Sequence, residues 1–114
     1  MEWVNIDINK YMYDYIEDNI GVYIFYADHY VYGIYRPEYI YIGKAKSQTI
    51  KDRVYQHLNN PSNEILALYL NNEHMEAKLM YSIFDYEMID LTEKYLINRL
   101  NPIANKIKYK GVKI

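Results

Sequence analysis

Residues 33–43 read Gly33-Ile34-Tyr35-Arg36-Pro37-Glu38-Tyr39-Ile40-Tyr41-Ile42-Gly43, a Gly-Ile-Tyr and a Tyr-Ile-Gly with five residues between them. Upstream, residues 21–26 read Gly-Val-Tyr-Ile-Phe-Tyr, a near copy of the first half. Which copy pairs with 41–43 decides how the sheet is built. Pairing 33–35 with 41–43 demands a hairpin closed around Arg36-Pro37-Glu38, with strands of only a few residues. Pairing 21–23 with 41–43 allows strands of ordinary length and leaves 27–38 as a loop or hairpin extension. In strands of period two, Tyr39 and Tyr41 share one face and Ile40 and Ile42 the other. The upstream pairing also lets Gly21 follow directly on an expected first helix. The reading therefore selects Tyr23 and Tyr41 as the tyrosines that belong together.

Outward from this stretch the chain alternates short elements. Ile8, Tyr11, Met12, Tyr15 and Ile16 fall at helical spacing and predict an N-terminal helical extension within 1–20. Dense Val, Ile, Tyr and Phe from Gly21 to Lys44 predict strands. Ser47 or Thr49 is placed to cap a helix through Leu58, and Asn59-Asn60-Pro61 to stop it. Ser62 opens a second helix ending near Asn71-Asn72. Alternation from Glu76 to Phe84 predicts a half-buried strand, and a last helix runs from Tyr86 to Leu100, ahead of Pro102. The expected architecture is one α/β (α+β) domain over 1–114: a small, mostly antiparallel three-stranded sheet flanked by helices, with an insertion at 27–38 and a basic tail at 106–114.

Composition bounds the function. The 114 residues are 51% hydrophobic and 25% charged, the balance of a single globular core. No apolar run approaches the roughly 18 residues of a membrane span, and the first ten residues lack a signal-peptide pattern, so a soluble, intracellular (cytoplasmic) protein with no membrane partner is expected. The absence of cysteine excludes disulfides, zinc-thiolate sites and thiol nucleophiles. Net charge is −2, unfavourable for a strong stand-alone nucleic-acid binder. Yet residues 94–114 hold six bases and no acid. Lys106, Lys108 and Lys110 alternate with Ile107 and Tyr109, so an extended tail presents a row of ammonium groups either to phosphates or to solvent. Most of the 16 tyrosines are ordinary strand aromatics, and genome bias toward A and T accounts for their number.

Two helices carry polar residues worth following. Ile50, Val54 and Leu58 form the apolar stripe of the first long helix, with Arg53 and His57 as i, i+4 neighbours on its edge. An arginine there can hold phosphate through its planar fork, and the imidazole can pass a proton or bond a phosphate oxygen; an exposed edge with Arg53 paired to an acid is the plainer alternative. Glu93 lies on the side of the last helix that carries Ile89, Leu96, Ile97 and Leu100. A carboxylate there needs a partner, either a divalent cation that retains its waters or a basic side chain.

Taken in order, these residues resemble the GIY-YIG nuclease superfamily. Gly21-Val22-Tyr23 looks like the first motif half, and Tyr41-Ile42-Gly43-Lys44-Ala45-Lys46 the second as found in excision-repair members. Arg53 with His57, Glu93 with Leu96-Ile97, and Pro102 to Asn105 match the remaining motifs, so the resemblance spans 21–105. The interval between the halves is longer than the family's, which makes 27–38 an insertion, and the stretch from Gly43 to Arg53 is a residue or two longer. The resemblance implies a metal-dependent DNA endonuclease using Mg²⁺ or Mn²⁺ held by Glu93. In it Tyr23 activates the attacking water, Tyr41 supports the phosphate or the metal's water shell, and Lys44 lowers the tyrosine pKa. Arg53 and His57 act at the phosphate, and Asn105 bonds near the scissile phosphate or fixes Glu93. Lys44, Lys46, Lys51, Lys106, Lys108 and Lys110 form the expected DNA-binding set. The alternatives are a catalytically silent binding module of this fold, or a nuclease that needs a homodimer or a protein partner for DNA capture.

Overall fold

The structure, a computed structural model, describes residues 2–9, 11–72 and 76–105. Four strands form one antiparallel sheet in the order β1-β6-β2-β5: β1 (Val4–Asp7), β2 (Gly21–Ala27), β5 (Glu38–Ala45) and β6 (Ala77–Ile83). A separate two-stranded hairpin, β3 (Tyr30–Val31) and β4 (Ile34–Tyr35), occupies the segment between β2 and β5. Among the described residues three α-helices complete the fold: α1 (Ile50–Asn59), α2 (Glu64–Leu70) and α3 (Tyr86–Leu100).

The sheet is buried on both faces, so its centre reads as a continuous apolar run rather than a half-polar strand. All seven residues of β2 are buried. Tyr23, Phe25, Leu79 and Tyr81 pack on one face with Ile50 and Val54 of α1 and Leu66 of α2. Val22, Ile24, Tyr26 and Ile42 pack on the other with Ile89 and Ile97 of α3. Each fully buried Ile, Leu or Phe side chain contributes about 1.5–3 kcal/mol of apolar transfer free energy. The result is three layers, with β5 at one edge where both helical layers meet.

The upstream copy does pair with β5, but two residues out of the expected register: 21–23 faces 43–45, and 41–43 faces 23–25. Gly21 faces Ala45, Tyr23 faces Gly43 and Phe25 faces Tyr41. Between Phe25 and Tyr26 the register slips so that Tyr26 faces Tyr39, leaving Ile40 as the extra residue of a bulge. This corrects the simple alternation: Ile40 packs with Tyr41 on the α1 face, while Tyr39 turns to the α3 face with Tyr26. Gly43 has a steric reason to be glycine. A Cβ there would stand 2.4 Å from Tyr23 Cζ and Oη, in the volume the phenol ring fills.

The outer edge of β5 is covered by the chain beyond α3. Asn101 ends that helix in the left-handed region at φ 48°. Ile103 and Ala104 then donate backbone N–H groups to Tyr39 O and Ile40 O. Next along the edge, the Asn105 carboxamide accepts from Ile42 N at 2.9 Å and donates to Ile42 O at 2.8 Å. One side chain thus supplies both hydrogen bonds of a missing strand and closes an open sheet edge.

Three expectations are corrected. The sheet has four strands, not three, because β1 pairs with β6 in register Val4–Tyr81 to Asp7–Lys78. The N-terminal extension is this strand followed by a single 3-10 turn, Met12–Tyr15, not a helix. Only Met12 and Ile16 of its apolar stripe are buried, and Tyr11 and Tyr15 stand in solvent. Tyr81 Oη accepts from Glu17 N and donates to Tyr15 O, bonding backbone groups that a longer helix would pair internally. Finally, the cap of α2 is Asn63 rather than Ser62; its Oδ1 accepts from Leu66 N at 2.9 Å. The first long helix begins as expected, with Thr49 Oγ1 accepting from Asp52 N. No helix among the described residues is long and apolar enough to cross a membrane.

Candidate active site

A cleft of about 690 Å³ opens at the β5 edge, where the two helical layers meet. From β5 it takes Tyr41 and Lys44, with Lys46 just beyond the strand; α1 supplies Arg53 and His57, α3 supplies Glu93, and Asn105 closes the edge. Six of the seven residues expected to act together therefore line one cavity, although they come from separate parts of the chain. Their positions follow from the layers. Tyr41 points to the α1 face and Lys44 to the α3 face, so side chains three apart on one strand reach opposite walls.

The seventh, Tyr23, lies beneath. Its side chain is 0% exposed, and its hydroxyl meets His57 Nε2 at 2.7 Å. The Arg53 guanidinium lies near this phenol and pulls against the rise in its pKa. With the phenol donating to Nε2, the imidazole N–H lies on Nδ1. Among the described residues no buried side-chain nitrogen or oxygen lacks a partner. The rings pack tightly, with Tyr41 and His57 centroids 5.0 Å apart and Tyr23 and His57 5.5 Å apart.

This geometry corrects two expected roles. Tyr23 does not face the cleft, and its hydroxyl reaches it only through His57. Burial, reinforced by Tyr41, pushes its phenol well above the usual range against the pull of Arg53. Burial likewise raises Tyr41, with Arg53 opposing. Both phenols are therefore protonated donors at neutral pH. Nor does Lys44 tune either tyrosine. Its Nζ is held 2.7 Å from Asp90 Oδ1 and stands 3.8 Å from Glu93 Oε1. The cation beside the tyrosines is Arg53. His57 is 6% exposed rather than on the helix edge, taking the stripe position expected of Leu58. Its pKa is held down at about 4, first by burial and then by Arg53, so the ring is neutral at physiological pH.

Glu93 is buried between Ile89 and Ile97 on α3, as its spacing implied, and is 8% exposed where it meets the cleft. No cluster of three His, Cys, Asp or Glu capable of holding a metal occurs among the described residues. Glu93 has a basic neighbour in Lys44, and a lone carboxylate would suit only a hard cation that fills its other positions with water and substrate oxygens, as Mg²⁺ does.

Of the other expected DNA contacts, Lys46 lines the cleft and Lys51 does not. Lys106, Lys108 and Lys110 lie outside the described residues. The residue that sequence reasoning missed is Asp90, which accepts from both Lys44 and Lys46. The signal was present, since Asp90 stands one helical turn before Glu93 on the same side of α3. Comparison with protein-family models, with curated proteins and with solved structures finds no match to this chain.

Proposed function

We propose that this chain is a divalent-metal-dependent endonuclease that hydrolyses phosphodiester bonds in DNA. The observation that carries the reading is the convergence of Tyr41, Lys44, Arg53, His57, Glu93 and Asn105 on one cleft. The resemblance of those same residues, in order, to GIY-YIG nucleases supports it.

In this reading Arg53 holds the charge that builds on the phosphoryl oxygens. Tyr41 donates from its protonated hydroxyl to the same group. His57 turns its Nδ1–H toward the phosphate, and Tyr23, bonded to Nε2, fixes that tautomer and the ring's orientation. Asn105 keeps β5, and with it Tyr41, in place by pinning the backbone of Ile42. Glu93 is the carboxylate that would hold Mg²⁺ or Mn²⁺. When bound, the cation would acidify the attacking water and draw charge from the phosphate and the leaving oxygen.

A second reading is a binding module of the same fold without turnover, or a nuclease that relies on a second subunit or protein partner for DNA capture. The net charge of −2 favours it. Nicking of supercoiled plasmid in Mg²⁺, in Mn²⁺ and in chelator separates the two. Cation-dependent nicking that disappears in Glu93→Gln, with the unfolding transition unchanged, is the expected result. Wild-type cleavage rates in that variant sink the metal assignment, and no nicking by the wild type under any condition leaves the module.

A further inference from the structure

Asp90 stands on the rim of the cleft, its side chain 56% exposed, and its two oxygens are divided between two lysines. Oδ1 accepts from Lys44 Nζ at 2.7 Å and Oδ2 from Lys46 Nζ at 2.8 Å. Lys44 is the penultimate residue of β5 and Lys46 lies just past the strand's end, and both reach the same carboxylate. Lys46 is further located by the Tyr86 ring, whose centroid lies 4.3 Å from Nζ. The two ammonium groups converge on a single point occupied by a monoanion that shares its charge over two oxygens.

A phosphodiester group has the same recognition chemistry: one negative charge spread over two non-bridging oxygens, each able to accept from a different cation. Lys44 Nζ is also 3.8 Å from Glu93 Oε1, so an anion seated on the pair is adjacent to the carboxylate assigned to the metal. The half-exposed Asp90 can swing outward into water without uncovering the core. Exposed ion pairs of this kind are weak and exchange readily.

We infer that Lys44 and Lys46 form a seat for a DNA phosphate next to the scissile one, and that Asp90 is its internal surrogate, holding the seat until a substrate phosphate displaces it. This rests on the cleft being a nucleic-acid site and goes beyond it in naming the group that competes with the substrate. The device discriminates by tethering. A lone small anion gains little by replacing Asp90, whereas a phosphate already tethered to a bound strand arrives at high effective concentration.

The test is DNA affinity, read by fluorescence anisotropy of a labelled duplex in chelator so that no turnover is required. Asp90→Asn removes the Asp90 carboxylate from both lysines and should tighten binding by about three- to tenfold, the range expected for relieving two exposed ion pairs. Glu87→Gln removes another exposed acid from α3 and serves as control for general charge; its effect should stay within about twofold. In a Lys44→Gln, Lys46→Gln background the gain from Asp90→Asn should vanish. Equal tightening in Glu87→Gln, a gain that persists without the lysines, or no DNA binding by any variant overturns the seat. A wild type that does not nick plasmid but shows the lysine-dependent gain refutes the hydrolase and keeps the seat. Nicking without the gain does the reverse.

Discussion

Two stretches of this chain, Gly21-Val22-Tyr23 and Gly33-Ile34-Tyr35, differ at one position out of three and end in opposite surroundings. The first lies in β2, which has β6 on one side and β5 on the other, and Tyr23 is 0% exposed. The second lies in a hairpin whose strands have only each other, and Tyr35 is 47% exposed. Its turn bends through Tyr32 and Gly33 at φ 52° and 78°, the two positive values of a tight two-residue hairpin connection. Tyr23 meets a neutral imidazole, while Tyr35 donates to Asp28 Oδ1 at 2.8 Å. Both phenols resist ionisation, the first because it is buried and the second because it is bonded to a carboxylate. A three-residue pattern does not fix a role; the number of strand neighbours does.

The widest gap between the two copies should come from their glycine environments. Gly43, across from Tyr23, has no room for a methyl group, whereas a Cβ on Gly33 meets nothing within 4 Å. Gly43→Ala must displace a buried phenol ring and should cost about 3 kcal/mol, the upper end for overpacking a core. Gly33→Ala suffers only the strain of its positive φ, about 1–2 kcal/mol. Denaturant midpoints measure both. If the two substitutions cost the same, Tyr23 is not locked against β5 as described.

Acid should separate the copies next. The His57 pKa of about 4 lies below the ordinary histidine value, so between pH 6.5 and 4 the unfolded chain binds more protons than the folded one. Stability from this group is complete above pH 6.5 and falls through that window, by at most about 3 kcal/mol. Asp28, beside Tyr35, has its pKa lowered by hydrogen bonds from Lys78 and then Tyr35. Its contribution is present above the ordinary Asp value and is lost only as pH falls below that. Urea unfolding from pH 7 to 4 should show the first loss, and His57→Gln should remove it. A wild-type stability flat over that window contradicts the buried neutral imidazole.

Removing the hydroxyls tests the roles. Tyr23→Phe leaves Nε2 of His57 buried without its partner, at a cost of about 1–3 kcal/mol. If His57 acts at the phosphate as proposed, Tyr23 orients it, and turnover should fall by about 10- to 100-fold with KM little changed. Tyr35→Phe should change stability by no more than about 0.5 kcal/mol and leave turnover as it was. The reverse pattern would assign the functional phenol to the hairpin.

How much of this was legible follows the range of the forces involved. The bounds of α3 could be read from Tyr86 to Leu100 because a long apolar period and Pro102 act locally, and the burial of Glu93 came from the same period. That the upstream copy pairs with β5 was legible from strand length alone, although its register lies two residues from the expected one. The bulge at Ile40 was not, since it depends on how residues 103–105 run beside β5. The strand Val4–Asp7 does alternate, Val4-Asn5-Ile6-Asp7, but the helical spacing of Ile8, Tyr11, Met12, Tyr15 and Ile16 favours a helix, which lost to hydrogen bonds with Tyr81, far along the chain. The burial of Tyr23 required knowing that Gly43 stands opposite, and the role of Lys44 required Asp90.

The smallest expected effect concerns the ionisation of Tyr35 itself. Its pKa is pushed up to about 12, first by donating to Asp28 and only then by partial burial. Asp28 is also bonded to Lys78 at 2.6 Å, so the carboxylate stays charged throughout the range in which a phenol titrates. Asp28→Asn deletes that charge and should return Tyr35 toward the ordinary value near 10, followed by NMR of ¹³C-labelled tyrosine ring carbons. Tyr23 should not respond, because its resistance comes from burial. High salt offers a second handle: it screens the exposed Tyr35–Asp28 interaction and leaves the buried phenol alone. A Tyr35 resonance that keeps its titration point in Asp28→Asn would mean that the hairpin, like β2, protects its tyrosine by burial, and the contrast between the two copies would then rest on geometry alone.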